Sequence, residues 1–229
     1  MASQKVSLER KKELEQLDPF QENLIKTLKY AKENKKQLMI VGFSIVAIVI
    51  IFSSVLYSFR MAETNASTLA SSAMNKYTQI KDPVEGYLAV ENDFNSILED
   101  YSNTAAGKIA KVNFAKICYN ASKFDKAYDL YKEALKNFNK DPGTTNLLLS
   151  SLGHVCMALN KNDEAKKYFE KINKSDSPLL KDEANFLLGM LFETSGDRIT
   201  SQKFYQTVAT EYENSLYKPL AQSKLNVKE

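Results

Sequence analysis

The pattern of hydrophobic and polar positions changes character twice along the chain. Residues 17–28 place Leu17, Phe20, Leu24 and Leu28 at spacings of three and four, with Ile25 widening the stripe and Lys26 and Lys29 pointing away from it. That spacing predicts an amphipathic helix. From Leu38 to Phe59 the alternation stops, and 22 consecutive residues carry no charge. As a helix this run is roughly 33 Å long, about the hydrocarbon thickness of a bilayer. Beyond Arg60 helical periodicity returns with few strand signals, punctuated by Pro83, Pro142, Pro178 and Pro219. The pattern therefore predicts an all-α chain, a single transmembrane helix followed by a solenoid of α-hairpins.

A buried core helix seldom stays apolar on every face for about six turns. A cleaved signal peptide fits no better. The 37 residues before the run are long and mixed in charge, no Ala-x-Ala follows it, and no Cys near its end offers a site for lipid attachment. The run reads as a retained anchor. Its flanks orient it: the twenty residues before it carry Lys26, Lys29, Lys32, Lys35 and Lys36, and the twenty after it carry only Arg60 and Lys76. The excess of basic residues places the N-terminus in the cytoplasm, with Tyr30 and Tyr57 suited to the two interfaces. For the arm, residues 1–37, two readings stay open. Its lysines meet anionic headgroups, or its helix continues the transmembrane helix into solvent.

The remainder repeats itself. Phe114-Ala115, Leu152-Gly153 and Leu188-Gly189 each pair a large apolar residue with a small one, at steps of 38 and 36 residues. Twelve positions after each small residue comes another, Ala127, Ala165 and Ser201, and four further on an aromatic, Tyr131, Phe169 and Tyr205. A polar turn separates the two landmarks in every unit. A helical hairpin explains the pattern: small residues let two antiparallel helices approach, and the aromatic fills the space between one hairpin and the next. An echo of Tyr101, Thr104 and Ala110 in Tyr212, Ser215 and Ala221, at an offset of 111 residues, supports the period. These residues resemble tetratricopeptide repeats. The units exceed the family's usual length of about 34 residues, so extended connections are expected near Asn139–Thr145 and Ser175–Leu179. The chain divides into a cytoplasmic amphipathic arm (1–37), a transmembrane helix (38–59), a leading helical hairpin (60–107) and repeats ending in a C-terminal capping helix (108–229).

Composition narrows the chemistry. Among 229 residues there are one His and two Cys, too few for a multi-histidine metal site, a cysteine zinc finger or a thiolate iron–sulfur cluster. No phosphate-binding loop, paired-His zinc helix or nucleophile elbow occurs. No catalytic residue, metal or cofactor is expected. His154 reads as groove-lining or partly buried, and the pairs Asp163-Glu164 and Asp182-Glu183 read as solvated helix starts. Cys118 and Cys156 occupy one repeat position on neighbouring helices, about 8–10 Å apart and beyond bridging distance, so both are expected as buried, unpaired thiols. The net charge of +3 lies wholly in residues 1–37, which hold nine basic and six acidic side chains, while residues 60–229 hold 22 of each. That charge is a topological signal, and no basic cluster for nucleic acid exists.

The resemblance to tetratricopeptide repeats also implies a binding surface, since in that family the first helix of each hairpin receives a partner peptide. The matching positions here are Val112, Lys116, Tyr119 and Asn120, then Ser150, His154 and Met157, then Phe186, Met190 and Glu193. Tyr119, Met157, Phe186 and Met190 are expected to form an apolar strip with adaptable methionines. Val112 and Glu183 stand where a carboxylate-binding clamp needs Lys and Asn. In layout the chain further resembles the YfgM-like bacterial inner-membrane proteins, ancillary subunits of the SecYEG translocon. Asn103-Thr104, Ala110, Phe114-Ala115 and the Phe124–Ala127 segment carry most of that likeness. The resemblance implies a non-enzymatic scaffold, single-pass in the bacterial inner membrane, with its C-terminal domain in the periplasm. Its implied partners are SecYEG, a membrane-anchored periplasmic chaperone and newly translocated chains. The alternative is an adaptor in outer-membrane or cell-wall assembly. Self-association through the repeats or the span stays open.

Overall fold

The computed structural model describes residues 19–226. Of the predicted stripe, Leu17 lies outside the described residues, as do the first 18 residues of the arm and the last three of the C-terminal segment. The described residues form ten helices and no strand: α1 (Pro19–Glu33), α2 (Lys35–Thr78), α3 (Pro83–Asp100), α4 (Ala105–Asn120), α5 (Phe124–Asn137), α6 (Pro142–Ala158), α7 (Asn162–Asn173), α8 (Lys181–Thr194), α9 (Arg198–Glu211) and α10 (Lys218–Leu225). The all-α architecture read from the pattern is the one observed. The chain divides into two units, Met1–Ser58 and Phe59–Glu229.

In the first unit Asn34 stands alone between α1 and α2 as a single turn residue. Its N–H donates to the Tyr30 carbonyl at 2.9 Å, and its own carbonyl accepts from Leu38 N–H at 3.0 Å. The most apolar stretch of α2 has a mean hydropathy of 2.8, and none of it is buried. By length and composition this helix can cross a membrane. No helix end falls near residue 59, because nothing between Leu38 and Thr78 supplies a Pro or a capping turn to stop it.

In the second unit the helices from α3 onward pack in order, each on the next. Their starts are written locally. Asp82 accepts from Val84 and Glu85 N–H at 2.9 and 2.8 Å ahead of Pro83, and Thr104 accepts from Gly107 N–H at 2.9 Å. Asp141 accepts from Thr144 N–H at 2.7 Å, and Pro142 follows it at the first helical position. That cap corrects the expected extended connection at Asn139–Thr145, since α6 already begins at Pro142. The second expected connection is present. Residues 174–180 run between α7 and α8, held to α6 by Asn146, whose Nδ2 donates to Ser175 Oγ at 2.9 Å and to the Leu179 carbonyl at 2.8 Å.

The period is clearest in the backbone. Each hairpin turns through one left-handed residue, Ser122 (φ 58°), Asn160 (φ 58°) or Gly196 (φ 84°). The N–H groups of Lys123, Lys161 and Asp197 then reach back to the carbonyls of Cys118, Cys156 and Phe192 at 2.8, 2.8 and 2.9 Å. This is one helix-terminating motif used three times. In two units the aromatic is in close contact with the small residue of its own hairpin. A β-carbon on Gly153 would come within 2.4 Å of the Phe169 ring, and one on Gly189 within 2.6 Å of the Tyr205 ring. The Phe169 and Tyr205 rings therefore lie over the small residue of their own hairpins, whereas Tyr131 lines the cleft it shares with Ser151 and His154 of the next hairpin. Two hydrophobic cores result, and α6 serves both. Leu148, Leu152 and Val155 join the core shared with α3, α4 and α5, whereas Leu149 and Cys156 join the core built with α7, α8 and α9.

Candidate partner-binding face

The faces of the first helices carry the clefts. On α4, Ile109, Val112, Asn113, Lys116 and Asn120 recur at helical spacing and form one stripe. Glu63 of α2 fixes the start of this helix, its two carboxylate oxygens accepting from Ala105 and Ala106 N–H at 2.8 and 2.7 Å. A carboxylate there also complements the positive end of the helix dipole.

Three open clefts border the stripe. One of about 390 Å³ gathers Lys116, Tyr119 and Asn120 of α4 with His154 and Ser151 of α6 and Tyr131 of α5. Another, of about 310 Å³, is apolar and lined by Ile109, Val112, Phe138, Leu147 and Leu148, with Asn113 and Thr144 beside them. The third, about 400 Å³, lies between α4 and the Glu63–Asn75 stretch of α2, where Ser67, Ser71, Met74 and Asn75 face Ala106, Ile109 and Asn113. Ile109 and Asn113 belong to both of the latter clefts. They link one side of α4 to the other.

Of the ten positions carried over from the resemblance, Lys116, Tyr119, Asn120 and His154 meet in one cleft, and Val112 lines the next. The other five do not join them there. Met157 and Met190 are half-buried against the second core. Phe186 is only 7% exposed, stacked on Tyr217 at 5.1 Å and tilted against Tyr205 at 5.7 Å. Consequently no single apolar strip runs from Tyr119 to Met190. Glu193 is exposed and accepts from Tyr205 Oη at 2.7 Å and from Lys224 Nζ at 2.9 Å.

Ser150 belongs to a polar junction that sequence spacing did not reveal. The Glu183 carboxylate accepts from Ser150 Oγ at 2.7 Å and Tyr217 Oη at 3.2 Å, and lies 3.1 Å from His154 Nε2. Glu183 is thus a half-buried hub joining α6, α8 and the turn into α10, and not the solvated helix start its position suggested. Burial acts to raise its pKa, but the bonds from His154 and Ser150 outweigh it and hold the carboxyl below its usual range. Ser150 donates its hydroxyl hydrogen bond to Glu183 and not to His154, so these groups are not arranged as a nucleophile–base pair. Among the described residues no three His, Cys, Asp or Glu side chains gather as a metal site.

Both cysteines are buried and unpaired. Desolvation pushes the Cys118 thiol up to about 12 and the Cys156 thiol up to about 11. Ile109 and Leu147 were missed because an isolated apolar residue on a periodic helix reads as core, and Asn113 and the polar α2 residues because a polar residue there reads as plain solvated surface. Extending the Val112–Lys116 stripe one turn toward the N-terminus would have found Ile109, and Asn113 lies within that stripe, three residues before Lys116.

Stacked two-helix units, each closed by the same left-handed turn and presenting clefts on their first helices, define a helical-repeat protein of the binding class. The chain belongs to the tetratricopeptide repeat-like domain family, whose pattern matches residues 33–227. The fold is similar to that of pilF from Pseudomonas aeruginosa, with a TM-score of 0.54 at 18% identity over 70% of this chain and 67% of that one. It is also similar to a tetratricopeptide repeat protein from Parabacteroides merdae, with a TM-score of 0.56 at 14% identity over 69% of this chain and 59% of that one. At such identities the likeness concerns the fold alone. No curated protein matches the sequence.

Proposed function

We propose that this protein is a membrane-anchored scaffold whose α4 face holds partner polypeptides beside the Sec translocon. The observation that carries the reading is the coupling of two features in one chain: an unburied apolar helix long enough to span a bilayer, and a run of hairpins whose clefts converge on Ile109 and Asn113. Paired amide and hydroxyl side chains around an apolar pocket suit polypeptide, because Asn and Ser can bond any peptide backbone while the pocket takes one aliphatic side chain. In this reading residues 38–59 cross the bacterial inner membrane, the arm is cytoplasmic and the repeats face the periplasm, as the lysine bias before the span supports. The division into arm, span, leading hairpin and repeats is proposed on the same ground.

The partners proposed are SecYEG, a membrane-anchored periplasmic chaperone and newly translocated chains. Affinity isolation of the detergent-solubilised protein at native abundance is expected to recover translocon or chaperone subunits. Recovery of outer-membrane or cell-wall assembly proteins in their place would overturn the Sec assignment in favour of an envelope-assembly adaptor.

A further inference from the structure

We infer that α1 is a membrane-surface helix whose apolar face docks onto an anionic bilayer next to the point where α2 enters it. This rests on the proposal that α2 spans the membrane.

The face is apolar and exposed. Phe20, Leu24, Ile25 and Leu28 are 72%, 49%, 50% and 61% exposed. At about 100° per residue they occupy an arc of roughly 140° on a 15-residue helix, a continuous stripe and not a scatter of single apolar residues. Lys29 lies about 40° beyond the Ile25 edge of that stripe and Lys32 falls on it one turn past Leu28, where ammonium groups can reach phosphates while their methylenes stay with the acyl chains.

Charge complementarity chooses the occupant. From Pro19 to Gln37 there are five lysines against two glutamates, and Glu22 pairs with Lys26 at 2.7 Å on the side away from the stripe. The lysines nearest the span, Lys32, Lys35 and Lys36, form no ion pair among the described residues and line the notch at Asn34. A second copy of this basic segment in register would set these charges against their own kind, whereas an anionic headgroup layer neutralises them. Distance favours the same answer. The uncharged run begins at Leu38, only one helical turn after Asn34, so the C-terminal end of α1 lies within reach of the headgroups. A single turn residue, Asn34, separates the helices, and because i→i−4 bonds to Tyr30 and from Leu38 still span it, α1 must bend at this residue to lie along the surface.

The chain contains no Trp, which makes the test direct. Single variants Leu24→Trp, Lys26→Trp and Ile48→Trp of the full chain are reconstituted into phosphatidylcholine vesicles with and without phosphatidylglycerol, and quenching by lipids brominated along the acyl chain is measured. The expected result in anionic vesicles is a blue-shifted, quenched Leu24→Trp emission beside a solvent-like Lys26→Trp emission. Reversing Lys29 and Lys32 to Glu, or omitting phosphatidylglycerol, should return Leu24→Trp toward the solvent-like spectrum. Quenched Ile48→Trp with unquenched, solvent-like Leu24→Trp overturns the inference and leaves α1 projecting into water. A blue-shifted Leu24→Trp that bromolipid does not quench overturns it in favour of a protein neighbour, a second copy included. Unquenched Ile48→Trp fails the spanning reading itself, and the inference falls with it.

Discussion

Ser122 and Asn160 hold φ near 58° while carrying a β-carbon, whereas the equivalent Gly196 holds 84° without one. The left-handed region costs an L-residue about 1–2 kcal/mol, so the first two turns carry strain that the third avoids. Ser122→Gly is therefore expected to raise the unfolding free energy by about 1 kcal/mol, and Gly196→Ala to lower it by a similar amount, both read from denaturant titration. The two thiols make a second residue-scale case. With both pushed far above neutrality and buried, disulfide reagents should modify Cys118 and Cys156 slowly in the native protein and at once in denaturant. Rapid native labelling of either would show that its core opens locally.

At the scale of the elements, two contacts decide how the helices stack. Gly153 lets the Phe169 ring lie against α6, and a methyl group there has no space. Alanine would gain about 1 kcal/mol of helix propensity, but overpacking a closed core costs about 1–3 kcal/mol. Gly153→Ala is accordingly expected to lower the melting temperature, measured by circular dichroism. The Glu183 junction acts between repeats. Because its folded pKa lies below the unfolded value, its contribution is complete above about pH 4.5 and disappears as pH falls through the depressed folded value. Glu183→Ala should cost about 1–3 kcal/mol at neutral pH by stranding Ser150 and Tyr217. Glu183→Gln should flatten the acid limb of the stability–pH profile relative to the unmodified chain. An unchanged acid limb would show that the carboxylate does not couple to folding.

For the whole molecule, the α4 stripe is the surface to interrogate. A photo-crosslinking residue at Asn113 is expected to capture polypeptide partners in living cells, whereas one at the exposed Asp129 on α5 should not. Equal capture at both sites would remove the α4 face from the binding role. The charge distribution belongs at this scale too. Residues 60–229 balance 22 basic against 22 acidic side chains, so attraction over long distances contributes little there, and recognition rests on shape and hydrogen bonding within the clefts. The arm, with its lysine excess, is the part whose interactions should weaken with salt.

Short-range physics made much of this legible in the chain itself. Helical periodicity and the spacing of Gly153 to Phe169 depend on residues within one or two helices of each other, and the helices formed where the periodicity put them, although α2 runs on past residue 59 and α6 begins inside the connection expected at Asn139–Thr145. The repeat period emerged the same way, because every hairpin closes with local backbone bonds. Contacts between hairpins were beyond that reach. Glu183 sits on a helix start and reads as solvated until packing brings Ser150 and Tyr217 to it from 33 and 34 residues away. Phe186 reads as a groove residue until Tyr217 closes over it, and Ile109 reads as core until the neighbouring helices leave it at the rim of two clefts. The chain by itself determined which residues become helices and how far apart the repeats fall. Only the tertiary structure decided which faces are covered, because burial is a property of the partner helix and not of the residue.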